Sequence, residues 1–259
     1  MKSILFSITG IILMGLLTVQ GQTPASGTVV FEEKAKIEIK LEGEAAAMYA
    51  DMLPKERTSK GILEFSPEAS LYKNAPQPVE DEMGSNFHAE GGMMIKIGDT
   101  ENKVFIDLKE GKIIEQRDFM TRLFLVEGDF PDTEWKITGN QKMILDYPCM
   151  EATSSDENDV VTKVWFTPSI PVQSGPAKFC NLPGLVLEAD VKNGDRIFTA
   201  LSIDLTPPDA ESFKKPKDGK KVSEEEFREI VAEKMKEMGV EGEPGTGGTR
   251  VMEIRIKKY

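Results

Sequence analysis

The sequence predicts a mainly β protein: an antiparallel meander forming an open curved sheet or half-barrel, with one packed C-terminal amphipathic helix. Three observations lead there. Short apolar–polar alternations recur along most of the chain, the period of two expected when one sheet face is buried. The stretches between them are too short for the crossover helices of a parallel sheet, which favours antiparallel pairing. One clear 3.6-residue apolar pattern lies beyond a break at Thr206-Pro207-Pro208.

The elements follow in order. Met1-Lys2 and the apolar run from Ile4 to Val19 have the layout of a secretory signal peptide, with a cut expected ahead of Gln22. The run falls short of the ~20 residues that span a bilayer, and no cysteine follows it for lipid attachment. A strand is expected over 27–41, where Ala35, Ile37, Ile39 and Leu41 alternate with Lys36, Glu38 and Lys40. Glu44 to Leu53 reads as a short helix stopped by Pro54. Strands are then expected at 57–65, 93–97, 103–108, 112–117, 121–127, 135–138, 142–146, 160–166 and 196–205. Leu108 to Gly111 is a tight turn, and Lys192-Asn193-Gly194-Asp195 is the strongest hairpin signal, because Asn-Gly accepts left-handed backbone. Residues 74–92 and 154–159 read as polar loops.

In the last part, Ser223 and Glu226 form a capping box, and Glu224 to Glu226 suit a helix N-terminus. Phe227, Ile230, Val231, Met235 and Met238 share one face, and Gly239 can end the helix. Met252, Ile254 and Ile256 alternate with charged residues, as a short terminal strand would. The expected division is a signal peptide at 1–21, an antiparallel β domain at 22–206, and at 207–259 a helix, a Gly/Pro linker and a strand packed on that domain.

The formal net charge of -12 repels phosphate backbones, which argues against a nucleic-acid partner. No apolar segment after the first is long enough to be a membrane-spanning helix. The two cysteines, Cys149 and Cys180, allow two readings. In an oxidising compartment they would form a disulfide, closing a loop of about 30 residues and adding roughly 3–4 kcal/mol. Alternatively they are two buried thiols that never meet.

The most distinctive stretch runs from Trp165 to Glu188. It carries Trp165-Phe166-Thr167-Pro168, Ile170-Pro171, Gly175-Pro176 and Asn181-Leu182-Pro183-Gly184-Leu185-Val186. Upstream lie Trp135-Lys136-Ile137 and Tyr147-Pro148-Cys149 to Ala152-Thr153. In this order the segments resemble the GLPGLI family of exported Bacteroidetes proteins. Asn181 stands where the family name has its first glycine, and Val186 where it has isoleucine. Four prolines fix φ between Pro168 and Pro183, so this loop loses little entropy when ordered. Leu182 to Leu185 has Pro then Gly where a type II turn would place them. The resemblance implies a periplasmic or outer-membrane-associated accessory protein of unassigned activity, one that would work beside TonB-dependent outer-membrane transport. Its partner would be an envelope protein or an apolar ligand. The motif loop would be Trp165, Pro168, Pro171, Gly175, Pro176, Asn181, Leu182, Pro183 and Gly184, with a geometric role.

Chemistry is thinly signalled. His88 is the sole histidine, and no catalytic or phosphate-binding motif occurs, so a non-enzyme is expected. Met83, His88, Met93 and Met94 would suit copper(I), a soft metal, against the alternative that Met93 and Met94 fill a core. A hydrolase using paired carboxylates is the other alternative, with Asp146, Glu151 and Glu188 nearest the distinctive segments. A carrier would hold an apolar ligand in the curved sheet, under a helix on its concave face. An interaction protein would have no cavity and would meet its partner at the Pro-rich loop or the final strand.

Overall fold

The structure, a computed structural model, describes residues 25–36, 55–76, 86–89, 93–96, 102–120, 122–156 and 160–237. The signal segment, residues 37–41 of the expected first strand with Ile37, Ile39 and Leu41, the expected helix at 44–53, Met238, Gly239 and the alternation at 252–257 lie outside them. The protein is mainly β. Twelve strands form one open sheet in the order β14-β8-β7-β6-β3-β2-β1-β13-β12-β11-β10-β9.

The expected meander is in fact two. β2 (Glu56–Phe65), β3 (Ala69–Asn74), β6 (Lys103–Asp107), β7 (Lys112–Phe119) and β8 (Arg122–Asp129) form one run. β9 (Lys136–Ile144), β10 (Tyr147–Ser155), β11 (Val161–Thr167), β12 (Leu185–Val191) and β13 (Arg196–Asp204) form the other. β1 (Gly27–Lys36) joins them, antiparallel to β2 on one side and to β13 on the other. All pairs in this sheet are antiparallel except β14 (Lys220–Val222), which runs parallel to β8. β4 (Asn86–Ala89) and β5 (Met93–Lys96) make a separate two-stranded ribbon, with β4 inside the segment expected to be loop.

The sheet must curl. β8 and β9 are ten strand steps apart, about 48 Å if flat, yet residues 130–135 connect them across at most about 25 Å. Phe130 and Trp135 in that link pack on the main core cluster, so the curl closes over the face that carries it. That concave face presents Val29, Phe31, Leu63, Phe65, Val164 and Phe198, all at most 1% exposed. The opposite, convex face carries a second cluster of Leu71, Phe105, Ile114 and Leu125. Residues 205–219 cross it on their way from β13 to β14. Ser212 donates to Glu64 Oε1 (2.8 Å), Phe213 packs on the second cluster, and Gln116 Nε2 donates to the Asp218 carbonyl (2.8 Å).

The helix, α1 (Glu224–Glu237), starts at the predicted capping box. Glu226 N donates to Ser223 Oγ (3.1 Å), and Ser223 N donates to Glu226 Oε2 (2.8 Å). Phe227 packs on Phe119, Phe124, Val126 and Val222, with Ile230 and Val231 beside it. These sheet residues share the concave face but lie at its β8–β14 end. The helix therefore does not cover the centre of the concavity, as a carrier of the expected design would require.

Candidate functional site

The centre is taken by the Pro-rich segment itself. Residues 168–184, between β11 and β12, form a strap folded onto the concave face. Its residues divide by depth. Ile170, Val172, Ser174 and Leu182 are 1–2% exposed, whereas Pro168, Pro171, Gln173, Asn181 and Pro183 meet solvent.

Local turns produce this division. Val172 N donates to Ile170 O (2.8 Å), Ser174 N to Val172 O (2.8 Å) and Gly184 N to Leu182 O (2.8 Å). These are three-residue turns, two of them centred on Pro171 and Pro183, whose fixed φ lies close to that of an inverse γ-turn. The type II turn expected at Leu182 to Leu185 is not formed, because Gly184 lacks the positive φ it requires. Gly184 is needed for closeness instead: a Cβ there would sit 2.2 Å from the Thr167 carbonyl oxygen. Asn181 has φ 64°, the left-handed backbone that Asn tolerates best after Gly, and its Nδ2 donates to Pro131 O (3.2 Å).

Besides the Asn181 contact, the Leu185 N–H donates to Ile170 O (3.0 Å), the Val186 N–H donates to Ser174 O (2.9 Å), and three side-chain contacts fix the strap further. Ser174 Oγ and Ser70 Oγ form a buried hydrogen bond of 2.6 Å to β3. Trp135 Nε1 donates to the Cys180 carbonyl (3.1 Å). Lys178 Nζ reaches Glu115 Oε1 (2.5 Å), which begins a chain of ions along the concave face. Glu115 also binds Arg117 (3.0 Å), and Arg117 Nη2 binds Glu224 Oε2 (2.7 Å) at the start of α1. The Arg117 guanidinium lies 4.9 Å above the Phe227 ring. This chain joins strap, sheet and helix through residues far apart in sequence, and no local motif announces it.

The two cysteines are free thiols, so the bridge expected from compartment and number is not present in this structure. Both are buried in the main cluster, where each serves as a small apolar side chain. Burial pushes the Cys149 thiol up to about 11 and the Cys180 thiol up to about 12. Neither forms the thiolate that would attack or bind a metal near neutral pH. Cys149 donates its thiol proton to the Tyr147 carbonyl (3.5 Å).

Trp165 belongs to the strand before the strap, half-buried between Glu151 on β10 and Glu188 on β12, its direct cross-strand neighbours. Lys142 Nζ sits 4.3 Å from the indole centroid and 2.7 Å from Glu188 Oε1. Asn140 Nδ2 donates to Glu151 Oε1 (3.3 Å). The two carboxylates are therefore separated by a whole strand and an indole, and each is held by a neighbour. Asp146 is exposed in the β9–β10 turn, apart from this arrangement.

Of the copper candidates, Met83 lies outside the described residues. The β4–β5 ribbon pairs His88 with Met94 and Ala89 with Met93. Among the described residues, no group of three or more His, Cys, Asp or Glu side chains is placed to hold a metal. A shallow cleft of about 560 Å³ lies between α1, β8 and β14, lined by Arg122, Leu123, Phe124, Gly219, Lys220 and Ile230.

A family described as "protein of unknown function (Porph_ging)" matches residues 154–188, which cover the strap, β11 and the start of β12. No curated protein matches the sequence. Among solved structures, PNGF-II in its C2 and P21 crystal forms is similar over 80% of this chain. The identities are 16% and 15%, with a TM-score of 0.54 for each. The chain is thus similar in fold to a part of PNGF-II and spans 33% of its length. An uncharacterized conserved protein from Thermus thermophilus is more distant, at 7% identity and a TM-score of 0.39, over 77% of this chain and 90% of that one.

Proposed function

We propose that this protein is an exported, non-enzymatic binding or accessory module of the GLPGLI type, working in the cell envelope through its surface. The observation that carries this reading is the two-sided strap. Its inner side chains fill the concave face where a carrier would hold an apolar ligand, and its outer side presents Pro168, Pro171, Gln173 and Pro183 to solvent. Fixed φ values make that outer ridge stiff, so a partner would order little chain on binding it. The family match centred on the strap supports assigning the role to this segment. The likeness to one third of a longer chain supports a fold that serves as a module. Glu151 and Glu188, each held by a neighbour, support binding over hydrolysis.

The test is native mass spectrometry on protein released gently from its host's periplasm, paired with its denatured mass. A chain starting at Gln22, with both thiols reduced and no adduct, is the expected result. A photo-crosslinker at Gln173 should then capture an envelope protein, whereas one at exposed Lys215 should not. A stoichiometric lipid or copper adduct, or equal capture at the two positions, overturns the proposal.

A further inference from the structure

Among the described residues the twelve-stranded sheet has two edges, and they differ. The β14 edge is three residues long and runs straight into α1, which packs beside it. That edge is short and carries two exposed lysines, Lys220 and Lys221, as guarded edges do. The β9 edge is nine residues long, exposed along nearly its whole length, and contains neither proline nor an acidic side chain.

Its open hydrogen-bonding groups can be placed by register. Met143 faces Pro148, which has no N–H, so this is a non-hydrogen-bonded pair and the Met143 N–H and C=O point away from β10. Alternation gives Gln141 the same orientation. The bulge opposite Glu151 sets four residue steps of β9 against two of β10, so the alternation survives to Ile137, which faces Ala152. Lys142, the charge best placed to guard the strand, is folded back over Trp165 onto Glu188.

The apolar side chains on this edge are symmetric in position. Ile137 is 47% exposed, Met143 63% and Leu145 42%; they are three of the eight large apolar residues most exposed among those described. Ile137 and Met143 are equidistant from Asn140, as are Trp135 and Leu145.

We propose that two copies of this chain pair β9 against β9 in antiparallel register about a twofold axis at Asn140. That register sets Ile137 against Met143 of the partner subunit, and Trp135 near Leu145 of the partner subunit, each pair occurring twice. Within the strands Lys136 meets Ile144 of the partner subunit and Lys142 meets Thr138 of the partner subunit, while one step beyond the Trp135 pair exposed Glu134 comes opposite Asp146 of the partner subunit, a like-charge pair that added salt screens. The pairing is isologous and consumes the β9 edge of both copies, and the remaining β14 edge is short and lysine-bearing, so the assembly closes at two. The like net charges of the subunits oppose association at long range, so added salt tightens the dimer.

Sedimentation of the purified chain across a concentration series tests this. The expected result is a monomer–dimer equilibrium that strengthens with sodium chloride. Ile137→Glu and Met143→Lys should each weaken the dimer roughly thirtyfold, through loss of two cross-strand apolar pairs. Combining them in one chain should restore dimerisation, because the introduced carboxylate would then face the introduced ammonium across the axis twice. A chain that stays monomeric at all concentrations overturns the proposal. So does a double variant no tighter than its parents, which would point to another register or another surface.

Discussion

Truncating Leu182 to alanine removes a side chain that is 1% exposed from the centre of the strap. If the strap is part of the core, the loss combines transfer of the missing carbons with the cavity left behind, about 3 kcal/mol for such a site. For a chain of this size unfolding in urea, with a slope of roughly 2–3 kcal/mol/M, the midpoint should fall by about 1 M. Intrinsic fluorescence reports the transition well, because Trp135 is hydrogen-bonded to the strap at Cys180 and Trp165 lies on the strand leading into it. Leu205→Ala, at a side chain 48% exposed, is the control and should cost no more than about 0.5 kcal/mol. A Leu182→Ala midpoint indistinguishable from that of the control would refute the reasoning. The strap would then be a dispensable cover, and the concave face would again be available to a ligand.

Further outcomes follow from the same geometry. Asn181→Gly should be close to neutral, whereas Asn181→Val should lose about 1–2 kcal/mol or more by forcing a branched residue into left-handed backbone, as urea melts would show. Burial alone would raise the Glu224 carboxyl, but the hydrogen bond and charge of Arg117 outweigh it and hold the group below its usual range. Its contribution to stability is thus present above the unfolded-state pKa and lost as pH falls through the lower folded value. Glu224→Gln should lower stability at neutral pH and flatten the acid side of the stability–pH curve, and an unchanged curve would remove Arg117 as the cause. Alkylation near pH 8 should label neither Cys149 nor Cys180 in the folded protein, at rates more than about a hundredfold below a free thiol, and both after unfolding. Mass spectrometry reads the count, and a chain that cannot be labelled even when unfolded would mean that the two are bridged.

Sequence reading succeeded where the cause is local. The capping box at Ser223 and Glu226 and the turn at Leu108 to Gly111 depend on neighbours within a few residues. The hairpin before β13 was legible through Asn193-Gly194, although Lys192 also takes positive φ, giving a four-residue connection. Two expected strands at 135–138 and 142–146 are one strand, because Gly139 at φ 87° carries a bulge without ending the pairing. β3 is not legible in the sequence because Ser70 and Tyr72 do not look apolar, yet their side chains reach Ser174 and the Phe31 and Phe198 rings. β10 was hidden by Pro148, which is tolerated because its position makes no ladder hydrogen bond to β9. At the strap, the residues were legible and their placement was not. Nothing local says that Ile170 and Leu182 enter the concave face, because that depends on strands from both meanders meeting at β1.

That meeting sets the order in which the molecule can be made. Of the described strands β1 is made first and lies close in sequence to β2, but its other neighbour, β13, follows well over a hundred residues later, with Thr28 waiting for Asp204. Until then the first meander carries a long unsatisfied margin bearing Val29 and Phe31, and the strap has no floor to settle on. Contacts this distant in the chain make for slow folding and a prolonged risk of adhering to other chains. A protein built this way gains from a holdase that shields β1 during synthesis, and refolding from denaturant should be slower and less complete as protein concentration rises.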